Sequence, residues 1–402
     1  MTSTIEIAIH KADRSPKTDY IQVARIENKR VLEIDMEPIA NAEPRMRIGD
    51  IYYAKVVRLL SSMRMAFVEI GEQRTALLHF AQVPLPRDSA YTDVAQYLRV
   101  GQLLPVQISK LPRGEKGAVV SGFVQIVGAF LIYQPYGNNI KVSQRIAEEP
   151  EQQRLKGIVN TLPSVEGGIL VRSLAKLQPD KYLTTEWQQL RSEWEKIQAQ
   201  IANSKKPKLL RAEWPLACCY IRDQIADVKL INVDDEEIYT QLQTFMQTWL
   251  QAWLTCLQYK PGKHALWYNY KIDDLIEKTI NHKITLPSGG FIVVEATEAM
   301  ITVDVNTGQY VKASAGLDIV YQTNIEAAHM LAQHLRLANL AGIIVVDFIG
   351  MKDTAQQQAV LSVLQEELAH DSAYTTSYGF SPLGLVEISR QRRGNTWMSY
   401  YK

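Results

Sequence analysis

Cysteine is scarce in this chain. Three occur in 402 residues, Cys218, Cys219 and Cys256. None stands in a CxxC pair and none follows Cys256, so the spacing offers no zinc cluster. Their apolar neighbours describe ordinary buried thiols in a reducing compartment. An excess of one charge is also lacking: 44 Lys and Arg oppose 43 Asp and Glu, a formal net charge of +1. Overall charge therefore announces no nucleic-acid binder, and any such surface must be local. Long apolar runs are missing too. No stretch of about eighteen apolar residues occurs, and the first residues, MTSTIEIAIHKADRSP, hold no apolar leader core. A membrane span is not expected, and the cytoplasm is the expected compartment. Hydrophobic residues make up 46% of the chain, which excludes global disorder. The length suggests two to four domains.

What is present centres on residues 291–351. Ile301, Val303 and Val305 alternate with Thr302, Asp304 and Asn306. Side chains on a strand repeat every two residues, so Asp304 and Asn306 share one face and the apolar residues take the other. GIIVV at 342–346 is a continuous apolar run, as expected of a strand covered on both faces. It ends in Asp347. An amphipathic helix is predicted from about Asp318 to Asn339, closed by Leu340-Ala341-Gly342. Such a strand–helix–strand unit can set two strand ends side by side. Two aspartates there, with an asparagine nearby, suit an oxygen-preferring cation such as Mg²⁺. The same residues also serve as turn formers and helix caps that bind nothing.

Three stretches, ITVDVNTG, TNIEAAHMLAQHLRLANLAGIIVVDFIGM and GFSPLGLVEISRQR, occur in this order. Together they resemble the ribonuclease E/G family of bacterial endoribonucleases. The resemblance implies that Asp304 and Asp347 hold Mg²⁺, with Mn²⁺ as a substitute, and that Asn306 supports one carboxylate by hydrogen bonding. It also implies an α+β multidomain fold. Residues 1–38 and 213–280 would form a ribonuclease-H-like subdomain, with an S1 barrel at 39–125 and a 5′-sensor region at 126–212 inserted between them. Residues 281–402 would form a DNase-I-like α/β catalytic subdomain.

The individual segments fit that division. TIEIAIH, YIQVARIE and RVLEIDME read as short strands, too few to bury a core without a later partner. Residues 39–125 hold short strands punctuated by turns, the pattern of a small OB-type barrel resembling an S1 domain. Over residues 46–120, Lys and Arg number ten and Asp and Glu six. Cations beside exposed aromatics suit single-stranded RNA, through phosphate pairing and base stacking. Phe67, Lys110, Arg113 and Lys116 are the candidates, with core packing the competing role for Phe67. The family has a second stacking phenylalanine where Leu77 stands, and Phe80 is a candidate substitute. In the family, positions matching Gly128, Ile132, Arg172 and Ser173 form a pocket for the 5′-monophosphate of RNA. An arginine fork and a hydroxyl suit phosphate, while an isolated Arg172 is equally a surface cation. Trp187, Leu190, Trp194, Ile197 and Ile201 recur at helical spacing, the stripe of a helix that packs internally. The run Ser389-Arg390-Gln391-Arg392-Arg393 is either a phosphate contact or a solvated tail. Gly350 stands where the family has aspartate.

The expected function is Mg²⁺-dependent endonucleolytic cleavage of single-stranded RNA to 5′-phosphate and 3′-hydroxyl ends, in rRNA maturation or mRNA turnover. The family's zinc link and small dimerisation domain have no counterpart in this sequence. No zinc is therefore expected, and a monomer or dimer is expected rather than a zinc-linked tetramer. A non-catalytic RNA-binding protein on the same fold is the alternative.

Overall fold

The computed structural model describes residues 5–13, 19–39, 46–85, 94–112, 115–163, 166–262, 265–297, 299–308, 319–391 and 397–400. The chain divides into two compact units. The first comprises Met1–Ile39, Val228–Gln241 and Thr255–Lys402; the second comprises Ala40–Asp227 and Leu242–Leu254.

The first unit contains two sheets. In the five-stranded one, Ile5–Asp13 pairs antiparallel with Asp19–Glu27, which pairs antiparallel with Arg30–Pro38. On its other side Ile5–Asp13 runs parallel to Val228–Val233, which runs parallel to Leu257–Tyr259. The amino-terminal strands thus take partners more than two hundred residues downstream. Residues 213–227 and 242–254 belong to the second unit.

The six-stranded sheet carries the candidate catalytic residues. Its strands, in spatial order, are Lys283–Thr285, Phe291–Ala296, Met300–Asn306, Gly342–Asp347, Val386–Arg390 and Thr375–Phe380. Helices Ile319–Leu337 and Thr354–Ala369 supply Ala327, Ala328, Leu331, Leu335, Val360 and Leu364 to a core shared with Ile301, Val303, Val305, Ile344 and Val346. Burying each of these larger aliphatic side chains stabilises the fold by roughly 1.5–3 kcal/mol. Among the described residues, these helices cover one face. Along Gly342–Asp347, Ile344 and Val346 are buried, but Ile343 is 56% exposed and Asp347 is exposed. The two-sided burial expected of GIIVV is therefore corrected. Both helices pack on a single face, and a branched apolar strand tolerates solvent on the other.

The second unit holds a closed barrel of Ile51–Leu60, Met65–Glu69, Ala76–His79, Val119–Ser121 and Leu103–Lys110, the last pairing back with the first. Ala54, Val56, Ala66, Val68, Leu78 and Val106 fill it. Lys208–Arg211 adds a strand outside the closure. A four-stranded sheet follows, in the order Ile140–Val142, Gly168–Val171, Leu131–Gln134, Ile126–Val127. Helix Asp180–Ala202 buries Trp187, Leu190, Trp194 and Ile197 of the predicted stripe, together with Leu183, while Ile201 is half-buried.

Candidate active site and phosphate pocket

The strand Met300–Asn306 alternates as its sequence requires. Ile301, Val303 and Val305 point into the core, while Met300, Thr302 and Asp304 are exposed. The neighbouring Gly342–Asp347 runs parallel to it, and in that register Asp304 stands opposite Asp347. Adjacent strands lie about 4.8 Å apart, so two carboxylates project side by side where the strands end. Asn306, two residues past Asp304 on the same face, donates from Nδ2 to Asp304 Oδ2 at 2.7 Å. That bond fixes one carboxylate oxygen of an exposed side chain. The donor set is all oxygen, as hard cations such as Mg²⁺ require. Such an ion is usually held by one or two carboxylates and keeps several waters. No cluster of three or more His, Cys, Asp or Glu suited to a metal occurs among the described residues. The residues present fit a largely hydrated ion.

The backbone around the pair is shaped by polar side chains. Fully buried Asn324 donates from Nδ2 to Ile349 O at 2.8 Å and accepts from Ile349 N at 3.0 Å. It clamps the chain two residues past Asp347. Glu326 accepts from Ser288 N at 2.8 Å and Gln322 Nε2 at 2.9 Å. Burial raises its carboxyl, but these bonds outweigh that and hold it below the ordinary range. Gly308, at φ +64, passes so close to Gly289 that a Cβ would lie 2.6 Å from that carbonyl oxygen. Only glycine fits this turn after Asn306. Gly350 has no such constraint: a Cβ there would meet nothing within 4 Å.

Two candidates for RNA contact are corrected. Arg390 is buried and binds Asp371 through Nε and Nη2 at 2.7 and 3.1 Å, with Nη1 donating to Asn339 Oδ1 and Leu340 O. It is a structural ion pair, unavailable to phosphate; Arg392 and Arg393 lie outside the described residues. Phe80 is 1% exposed in the barrel core and cannot stack on a base. A short 3-10 turn, Phe80–Gln82, ends the strand and turns the ring inward. Phe67 differs. It alternates with buried Ala66 and Val68, is half-buried outside the core cluster, and pairs across the strand with Leu77. Lys110 and Lys116 are exposed, and Arg113 lies outside the described residues.

The four phosphate-pocket candidates come together on the small sheet. Ile132 pairs with both Val127 and Leu170. Gly128 follows Val127, while Arg172 and Ser173 follow the strand Gly168–Val171. Arg172 donates from Nη1 to Gly128 O at 2.5 Å, and its Nη2 pairs with Asp223 Oδ1 at 2.8 Å. Beneath this lies Glu186, wholly buried, accepting from the N–H groups of Ala129, Phe130 and Leu131 at 2.5, 2.8 and 2.7 Å. Burial pushes its carboxyl up to about 7, although those three donors and Arg172 oppose the rise. A Cβ on Gly128 would lie 2.4 Å from the Glu186 carboxyl carbon, so this glycine is required by packing as well as by any ligand. Glu186 carries no motif signal by itself; the groups it serves lie more than fifty residues away in sequence.

A pair of strand-end carboxylates with a braced amide thus stands on the same chain as a closed five-stranded barrel. The sequence model of the Ribonuclease E/G family matches residues 125–393. Ribonuclease G of Salmonella typhimurium is 33% identical over 383 residues, covering 92% of this chain and 77% of the relative. Ribonuclease G of Escherichia coli matches to the same extent. Ribonuclease E of a Nostoc species is 31% identical over 369 residues, 90% of this chain and 54% of that protein. The chain belongs to the ribonuclease E/G family.

Proposed function

We propose that this chain hydrolyses single-stranded RNA at the Asp304–Asp347 strand ends, with Mg²⁺ or Mn²⁺ held by those two carboxylates. Its family makes it an endoribonuclease, a hydrolase acting on RNA. The observation that carries the site is the register that sets Asp304 opposite Asp347, with Asn306 bonded to Asp304 at 2.7 Å. When bound, the ion would lower the pKa of a coordinated water and neutralise charge developing on phosphorus. Asp304 and Asp347 hold the ion. Asn306 keeps the Asp304 carboxylate from rotating, and the Asn324 clamp keeps the chain beyond Asp347 in place. Attack of water on phosphorus with loss of the 3′ oxygen leaves a 5′-phosphate and a 3′-hydroxyl.

The barrel is the substrate grip, through stacking on Phe67 and phosphate contacts from Lys110, Arg113 and Lys116. Gly128, Ile132, Arg172 and Ser173 form the pocket for a 5′-monophosphate. On this reading the five-stranded sheet is ribonuclease-H-like and the six-stranded sheet DNase-I-like, and the work is rRNA maturation or mRNA turnover in the cytoplasm. No described helix is long and apolar enough to cross a membrane.

The test is cleavage of a fluorescent A/U-rich oligonucleotide by wild type, Asp304→Asn and Asp347→Asn, with Mg²⁺ and with chelator. Both variants should keep their circular dichroism and lose Mg²⁺-dependent product. Cleavage at the wild-type rate by either variant removes it from the site. RNA binding by the wild type with no product at any Mg²⁺ concentration would make the chain a binding protein.

A further inference from the structure

The phosphate pocket is built on an irregular backbone, residues 127–131, whose polar groups are held by side chains from distant parts of the second unit. On the donor side, Glu186 takes the three consecutive N–H groups of 129–131. On the acceptor side, two guanidiniums take two consecutive carbonyls: Arg172 Nη1 donates to Gly128 O at 2.5 Å, and Arg222 Nη1 to Val127 O at 3.4 Å. One residue joins these two arginines. Asp223 pairs through Oδ1 with Arg172 Nη2 at 2.8 Å, and takes Arg222 Nε and Nη2 at 3.0 and 3.3 Å. Arg222 is further tied to Glu213 at 3.3 Å and is itself buried.

We propose that Asp223 is a positioning residue of the phosphate pocket, fixing the Arg172 fork and, through Arg222, the Val127–Gly128 carbonyls in the arrangement that receives a terminal RNA phosphate. This rests on the reading of Arg172 as a 5′-phosphate ligand. An arginine carries five N–H donors in a rigid plane. Arg172 Nη1 donates to Gly128 O, and Nη2 is held against Asp223 by the ion pair at 2.8 Å. The guanidinium is therefore oriented before ligand arrives. Preorganisation of this kind lowers the ordering cost of binding. Asp223 also offsets part of the charge of two neighbouring arginines. Attraction for phosphate then comes from directed donors more than from net charge, which favours a phosphate monoester seated in one geometry over backbone phosphates met at random.

The experiment is fluorescence anisotropy of a short single-stranded RNA in excess chelator, with a 5′-monophosphate or a 5′-hydroxyl, against wild type, Arg172→Gln, Asp223→Asn and Asp223→Ala. Thermal melts of each protein run alongside. Wild type should prefer the phosphorylated RNA. Asp223→Ala should lower that preference about ten-fold, close to 1.4 kcal/mol. Asp223→Asn should fall between, because its amide oxygen can still accept from Arg222 while the charge that pairs with Arg172 is gone. A folded Asp223→Ala protein with the wild-type preference overturns the proposal, as does equal weakening of both RNAs, which is what a merely structural residue would give. If Asp223→Ala does not fold, the Asp223→Asn preference decides in the same way. Loss of preference in Arg172→Gln but not in the Asp223 variants leaves the pocket standing and removes Asp223 from it. No preference in wild type, or an unchanged one in Arg172→Gln, removes the pocket and the proposal together.

Discussion

Replacing Glu186 with glutamine should erase a large pH dependence of stability. In the folded chain burial holds this carboxyl at about 7, against an ordinary value of 4.5. A group whose folded pKa is raised stabilises the fold while protonated and loses that contribution as pH climbs to the folded value. Stability from Glu186 is therefore complete below about pH 4.5, declines between there and 7, and is flat above. At about 1.36 kcal/mol for each pH unit between the two values, the loss is roughly 3 kcal/mol. Glutamine does not titrate, so the stability difference between Glu186→Gln and wild type should move by that amount in favour of the variant as pH rises from 5 to 8. For a unit of this size about 1 kcal/mol corresponds to 2–4 °C, so the melting points should converge or cross over roughly 6–12 °C. The assay is thermal unfolding followed by tryptophan emission, for which Trp187 adjoins the site. Comparing the two proteins cancels every other titrating group. Parallel pH profiles, within about 1 kcal/mol, would show that the buried carboxylate is stabilised far better than its surroundings suggest, and the reasoning fails.

His334 should act with the opposite sign. Burial and the neighbouring His282 lower its pKa to about 4, from 6.5. Its contribution is complete above pH 6.5 and lost as pH falls toward 4, about 3 kcal/mol in all; His334→Gln should blunt acid unfolding measured by circular dichroism. Arg390→Ala leaves Asp371 buried without its partner and should cost about 3–5 kcal/mol of stability. The salt dependence of RNA binding, read as log Kd against log salt, should not change, because Arg390 meets no phosphate. Phe67→Ala should weaken RNA binding by about 1–3 kcal/mol, the worth of one base–aromatic stack, with the barrel's melting point nearly unmoved; unchanged affinity would end the stacking role.

The candidate catalytic site was legible because a one-sided sheet writes its period into the sequence. ITVDVN alternates because one face meets helices and the other meets water, and the strand–helix–strand order brings Asp304 and Asp347 to one edge. GIIVV misled for a related reason. A run of branched residues records β preference and one buried face, but does not show whether anything lies on the second. The basic run at 389–393 gave no sign that Arg390 turns inward, since its ion-pair partner Asp371 lies nineteen residues back. Glu186 was hidden more deeply. It sits in an amphipathic helix where a carboxylate reads as solvated, and the three N–H groups it serves are 55 to 57 residues away.

The two candidate sites share a construction that sequence patterns do not encode. Residues beside a ligand must leave strand ends open, yet their own N–H and C=O groups still need partners. At 127–131 a carboxylate and two guanidiniums supply them. Beyond Asp347 a single amide does, since Asn324 bonds both the N–H and the carbonyl of Ile349 as a neighbouring strand would. Asn324→Ala would leave both groups without these partners, at about 1–3 kcal/mol each, and the chain beyond Asp347 would shift to recover them. Asp347 itself stays in register with Asp304, so the fold should survive with a lower melting point. Its carboxylate would be held less tightly. Loss of such support commonly weakens a metal site 10–100-fold. Cleavage by Asn324→Ala should therefore require correspondingly more Mg²⁺ for half-maximal rate, and recover part of the wild-type rate at saturation. A rate that falls with no change in the Mg²⁺ midpoint would mean that the clamp serves stability alone.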